Sequence, residues 1–89
     1  MASFIRNIFN QFIVGSGGMV EGDTVFVLNY TNIIQNSVSV WLDGSLLPNN
    51  LLDQISCSIT YTPFNATITF NQPVFDGQLY DIYALKFGI

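Results

Sequence analysis

Between Ser37 and Leu47 the chain spells out a β-hairpin, and that hairpin constrains the fold more than any other segment. Ser37-Val38-Ser39-Val40-Trp41-Leu42 alternates, which puts Val38, Val40 and Leu42 on one face of a strand. Asp43-Gly44 comes next, a dipeptide that readily supplies two left-handed residues for a two-residue turn. Ser45-Leu46-Leu47 is the return strand, and Pro48-Asn49-Asn50 ends it. Upstream, Thr24-Val25-Phe26-Val27-Leu28 is a compact β-branched and aromatic run. Downstream, Cys57, Ile59 and Tyr61 alternate with Ser58, Thr60 and Thr62, and Pro63-Phe64-Asn65 makes a turn. Ala66, Ile68 and Phe70 alternate with Thr67 and Thr69 until Asn71-Gln72-Pro73 breaks the pattern. Phe75-Asp76-Gly77-Gln78 turns the chain into a last strand from Leu79 to Phe87. Short strands at this spacing predict an all-β domain, a small antiparallel β-sandwich or barrel of five to six strands.

The first residues have a different period. Phe4, Ile5, Ile8, Phe9, Phe12 and Ile13 recur in steps of one and three, which is one stripe of a helix, with Arg6, Asn7, Asn10 and Gln11 on the far side. Ser3 stands where a cap would. The spacing predicts an N-terminal amphipathic helical arm. Gly15-Ser16-Gly17-Gly18 separates it from the strands as a flexible or sharply turning joint. The expected organisation is therefore an arm and joint over residues 1–18 and a β-sandwich domain over residues 19–89. A helix of about ten residues is marginal alone in water and needs a surface to pack on. That surface is either its own β domain, another subunit or a foreign partner; a membrane surface is disfavoured by the lack of cations on its polar face. Trp41 lies on the pleat face opposite Val40, either under a second layer or exposed as an interface anchor.

Composition narrows the chemistry. Only 9% of the 89 residues are charged, and two cations against six acids leave a formal net charge of −4. Average domains carry about 25% charged residues, so much of this surface is expected to be covered by partners. Arg6 and Lys86 are too few to neutralise a run of phosphates, so neither nucleic acid nor an anionic membrane is an expected partner. There is no histidine, which removes Ser-His-Asp and Cys-His arrangements and Cys/His zinc sites. Asp43 and Asp76 each precede a glycine and read as turn formers, while Glu21, Asp23 and Asp53 lack the spacing of a calcium loop. Cys57 lies in an alternating strand and reads as a small buried hydrophobe. Neither a catalytic residue nor a cofactor is expected. Asn10 and Gln11 interrupt the apolar N-terminus, so a secretory signal is not expected either.

The order of motifs is itself informative. Gly22-Asp23-Thr24-Val25-Phe26-Val27-Leu28, the hairpin from Ser37 to Leu47, Ala66-Thr67-Ile68-Thr69-Phe70-Asn71-Gln72-Pro73, Asp76-Gly77 and Tyr80-Asp81-Ile82-Tyr83 succeed one another. Together they resemble a small β-sandwich module of tailed-phage virion proteins, of the head decoration, head fibre or tail appendage type. The resemblance spans about residues 20–87. Asp53-Gln54-Ile55 departs from the "D-Y" usual before the third strand, and the N-terminal segment is not part of the module. The resemblance implies a bacteriophage structural protein located in the virion, a capsid decoration or cement protein or an appendage anchor. Its expected partners are the major capsid protein or other virion proteins and further copies of itself, a trimer being the expected closed form. Phe4, Ile5, Ile8, Phe9, Phe12, Ile13 and Trp41 are the expected partner-binding residues. A tail or neck fibre or adaptor component is the alternative of the same class. A carbohydrate-binding module, with Trp41, Tyr80 or Tyr83 stacking on sugar rings, is the alternative of another.

Overall fold

A computed structural model describes residues 4–88. They form seven strands: β1 (Phe4–Ile13), β2 (Val25–Leu28), β3 (Ser39–Leu42), β4 (Ser45–Leu46), β5 (Cys57–Tyr61), β6 (Ala66–Phe70) and β7 (Leu79–Gly88). They make two antiparallel sheets, in the orders β1-β7-β3-β4 and β2-β6-β5. The all-β expectation holds, with β1 as an added strand.

The expected helical arm is instead β1, a ten-residue strand paired along its whole length with β7, from Phe4 opposite Gly88 to Ile13 opposite Leu79. The pattern misleads for a geometric reason. Phe4, Ile8 and Phe12 are spaced by four, as are Ile5, Phe9 and Ile13. A spacing of four keeps residues on one side of a helix and also on one side of a strand. In a helix the two series would merge into one stripe; in the strand they lie on opposite faces. Phe, Ile and Asn are indifferent helix formers, and β7 offers an equally long ladder. Ser3, the expected cap, lies outside the described residues.

The two sheets face each other across one core. Leu28, Cys57, Ile68 and Phe70 come from one sheet; Ile8, Val40, Tyr80, Ile82 and Ala84 come from the other; Val14, Met19 and Val74 fill between. Aromatic contacts tie the layers together. Phe12 stacks on Phe26 with ring centroids 4.9 Å apart, and Phe70 meets Tyr80 edge-on at 5.1 Å. The Tyr61 hydroxyl accepts the Val38 N–H at 3.2 Å.

The hairpin forms as its sequence predicts. Asp43 and Gly44 both have positive φ, 49° and 87°, which matches the twist of the flanking strands. The glycine loop turns sharply and is tied down: Gly15 N–H donates to the Met19 carbonyl and Ser16 N–H to that of Ile13. Val14 and Met19 on either side of it are buried. The loop thus joins β1 to the rest of one sandwich.

Candidate interaction face

The four-stranded sheet has a second face, turned away from the core. Register places its side chains in rows. Ile5 lies opposite Phe87, Asn7 opposite Leu85, and Phe9 opposite Tyr83, which in turn lies opposite Ser39. Gln11 lies opposite Asp81, then Trp41, then Leu46; Ile13 lies opposite Leu79. Apart from Asp81, every β1 and β7 member of these rows is Ile, Leu, Phe, Tyr, Asn or Gln, and none of the rows contains a cation. Ile5 is 58% exposed, Phe9 53%, Leu46 54% and Ile13, Tyr83 and Phe87 47% each. These large apolar residues lie in adjacent rows, so they form one exposed apolar face rather than singly scattered side chains.

Aromatic stacking stiffens the platform: the Phe9 and Tyr83 rings lie 4.9 Å apart. Asp81 carries its one charge, and the Gln11 side-chain amide donates to that carboxylate at 2.8 Å. Beside it, Ser39, Trp41, Gly44, Asp81 and Tyr83 line a shallow recess. Trp41 is half-buried, and its indole N–H donates to the Ser39 hydroxyl at 3.3 Å.

The seven expected contact residues are divided by the pleat. Ile5, Phe9, Ile13 and Trp41 come together on this outer face. Ile8 is in the core, and Phe12 packs between the sheets. Phe4 lies on the inner side, beyond the core, where the Arg6 guanidinium sits 5.2 Å from its ring centre. Sequence reading named Tyr83 only as a sugar-stacking ring of the carbohydrate-binding alternative, and missed Leu85, Phe87 and Leu46. The signal was in β7, which is apolar at both odd and even positions, as a strand covered on both faces would be.

β1 also exposes an edge. Val14 N–H donates to the Gln78 carbonyl and Gly77 N–H to the Val14 carbonyl, so even-numbered residues of this strand face β7. On β7, Leu85 and Phe87 bond toward residues 32–37 on the other side. In an antiparallel ladder such groups alternate. The N–H and C=O groups of Ile5, Asn7, Phe9, Gln11 and Ile13 therefore point away from the sheet. Among the described residues only the Ile13 carbonyl is engaged there, by Ser16 N–H.

Three of the acids accept hydrogen bonds from the backbone. Asp43 accepts the Leu79 N–H at 2.9 Å, Asp23 that of Val20 at 3.0 Å and Glu21 that of Asp76 at 3.1 Å. Burial pushes the Cys57 thiol up to about 11. Burial, then the charges of Asp43 and Cys57, push the Tyr80 hydroxyl up to about 12. Tyr80 is buried and cannot stack on a sugar ring. Among the described residues no three acid, cysteine or histidine side chains converge as metal ligands would. No protein family, curated protein or solved structure matches the chain.

Proposed function

We propose that this chain is a non-catalytic structural protein of a tailed-phage particle, a capsid decoration protein or appendage anchor. It beds on the major capsid protein or another virion subunit through the outer face of β1, β7 and β3. One observation carries the reading: a flat, half-exposed apolar platform formed by Ile5, Phe9, Ile13, Tyr83 and Phe87, with Asp81 as its one charge. A surface of this kind gains by burial against another apolar protein surface, at about 25 cal/mol per Å². It offers no cations to a phosphate backbone or a lipid headgroup. The motif order of the hairpin and the closing strand supplies the phage context.

The test uses particles of the phage whose genome encodes the chain, banded on a density gradient. The wild-type chain is expected to band with them at a fixed copy number. Tyr83→Ser with Phe87→Ser is expected to lower that occupancy at least tenfold while the free protein stays folded. A wild-type chain that stays at the top of the gradient overturns the reading.

The recess at Trp41 favours a second reading, as a glycan-binding module. An indole and a phenol beside the Asp81 carboxylate and the Ser39 hydroxyl present stacking and hydrogen-bonding groups together. Binding on a glycan array that disappears with Trp41→Ala would select it over the first.

A further inference from the structure

The free edge of β1 is unusual for a β domain. Long, flat, apolar edges invite pairing, and proteins blunt them with lysine, proline, bulges or short strands. β4, with two residues, and β2, with four, are short. Residues 48–57 partly cover β5, through Cys57 N–H donating to the Pro48 carbonyl. β1 has ten residues and no proline, its one charged residue is Arg6 near its start, and it is paired opposite for opposite with β7 throughout.

We infer that β1 pairs with β1 of a second copy, antiparallel about a two-fold axis at Phe9, fusing the two four-stranded sheets into one of eight strands. Three observations choose this occupant and this register. The first is the order of edge residues, Ile5, Asn7, Phe9, Gln11, Ile13, which reads the same in type from either end. With Phe9 opposite its own mate, Ile5 meets Ile13, and Asn7 meets Gln11. A shift by two residues along the partner sets Asn7 against Phe9 or Phe9 against Gln11 and spoils every row. In the matched register the outward N–H and C=O groups of Asn7, Phe9 and Gln11 meet their complements and the Ile13 N–H meets the Ile5 carbonyl, while the Ile13 carbonyl already accepts from the Ser16 N–H of its own chain.

The second observation is charge. Arg6 and Lys86, the two cations of the chain, lie opposite each other at one end of the β1–β7 ribbon. Glu21, Asp23, Asp43 and Asp76 gather at the other end, around Leu79, Val74 and Val14. An antiparallel seam lays the basic end of each copy beside the acidic end of its partner. A parallel seam would oppose like charges.

The third is Asn10. Its side-chain nitrogen is buried and has no hydrogen-bond partner. Such a group costs free energy until it is paired. In the matched register Asn10 lies diagonally across the seam from Asn10 of the second copy, within reach of an amide side chain. Two such amides can satisfy each other.

A two-fold seam makes a dimer, in place of the trimer expected from the sequence. It uses the strand edge, so the outer faces of both copies stay free for a further partner. Dimerisation and particle binding fail separately: a dimer that never joins particles sinks the particle reading alone, and a monomer that decorates particles sinks the seam alone.

Light scattering of the purified full chain between 10 and 200 µM, with two sets of variants, tests it. The native chain is expected to give the mass of two chains. Phe9→Lys, which sets two ammonium groups face to face at the axis, is expected to give a monomer, its fold checked by circular dichroism. In a Cys57→Ala background, Phe9→Cys is expected to oxidise to a covalent dimer, since facing residues lie about 5.5 Å apart. Ile5→Cys is not, because its own mate is eight residues away along the seam, about 27 Å. This pair of cysteine variants decides the matter even where Phe9→Lys fails to fold. A native monomer across the range, a trimer, or cross-linking at Ile5 but not at Phe9 overturns the inference.

Discussion

Phe12 of β1 stacks on Phe26 of β2, ring centroids 4.9 Å apart, on the side of the sandwich where the edges of both sheets lie next to each other. Phe12 also stacks on Tyr80 at 5.5 Å, and Tyr80 meets Phe70. One chain of four rings thus runs from β2 through β1 and β7 to β6. It replaces, on this open side, the covering that residues 48–57 give to the other.

Truncating either ring of the Phe12–Phe26 pair should be costly. Phe12→Ala is expected to destabilise the fold by about 3 kcal/mol, toward the low end for a phenylalanine because Phe12 is half-buried. For a chain this short that is a fall of about 10–20 °C in Tm. Phe26→Ala should cost a similar amount. The double variant should cost less than the sum of the two, by about 1 kcal/mol, the coupling expected of a stacked pair. Strict additivity in urea unfolding would show that the two rings do not depend on each other.

The hairpin turn can be tested residue by residue. Gly44 sits at φ 87°, where a side chain meets its own backbone, so Gly44→Ala is expected to cost about 1–2 kcal/mol. Asp43 does two jobs: it holds φ 49° and accepts the Leu79 N–H that β7 leaves outward at its first residue. Asp43→Ala should lose about 1–2 kcal/mol, whereas Asp43→Asn keeps the acceptor and tolerates the conformation. Near-equal losses for Ala and Asn would show that the bond to Leu79 contributes nothing.

The strands from Val25 onward were legible because each is either a period-two pattern or, in β2 and β7, an apolar and aromatic run, and each is bounded by turn residues, as Leu42-Asp43-Gly44-Ser45 shows. β1 was not, because residues spaced by four satisfy helix and strand alike, and only β7 decides between them. The outer face was half legible for the same reason. Ile5, Phe9 and Ile13 were picked out as contact residues, but in company with Ile8 and Phe12, which the pleat sends into the protein. The exposure of Tyr83 and Phe87 depends on which sheet face lacks a second layer, and no local pattern specifies that. The free edge depends on strand order, which is a property of the whole topology.

Alkaline pH should weaken the fold within a defined window. The Cys57 thiol titrates near 9.0 when free and is pushed up to about 11 by burial; the Tyr80 hydroxyl goes from 10.0 to about 12. Both groups are neutral when protonated, so above pH 9 the unfolded chain gives up protons that the folded chain retains. By linkage, stability is fully present below pH 9 and falls as pH rises from 9 toward 12. Cys57→Ala should flatten the first part of that fall, between pH 9 and 11, and leave the part due to Tyr80. Chemical denaturation at pH 7.5, 9.5 and 10.5 reads it. At pH 8 the thiol of the folded protein should resist a disulfide reagent that modifies the urea-unfolded chain at once. A thiol that reacts equally fast in both states would place Cys57 outside the core.

Arg6 and Lys86 stand opposite each other in an otherwise acidic chain, and the two consequences of that opposition have contrary signs. Within one copy, like charges directly opposed across a ladder are unfavourable. Lys86→Glu converts the pair to opposite charges and leaves the stacking of Arg6 on Phe4 untouched. At micromolar dilution and low salt it should raise stability by about 0.5 kcal/mol, a gain that 0.5 M salt removes by screening. Between copies, the same change cancels the positive end that the antiparallel seam lays beside Glu21 and Asp76 of the second copy. The dimer dissociation constant should therefore rise severalfold at low salt. Unfolding at high dilution reads the first effect, and sedimentation equilibrium at high concentration reads the second. A variant that gains stability and dimerises more tightly would mean that the basic ends do not face acids, and would argue for a different seam.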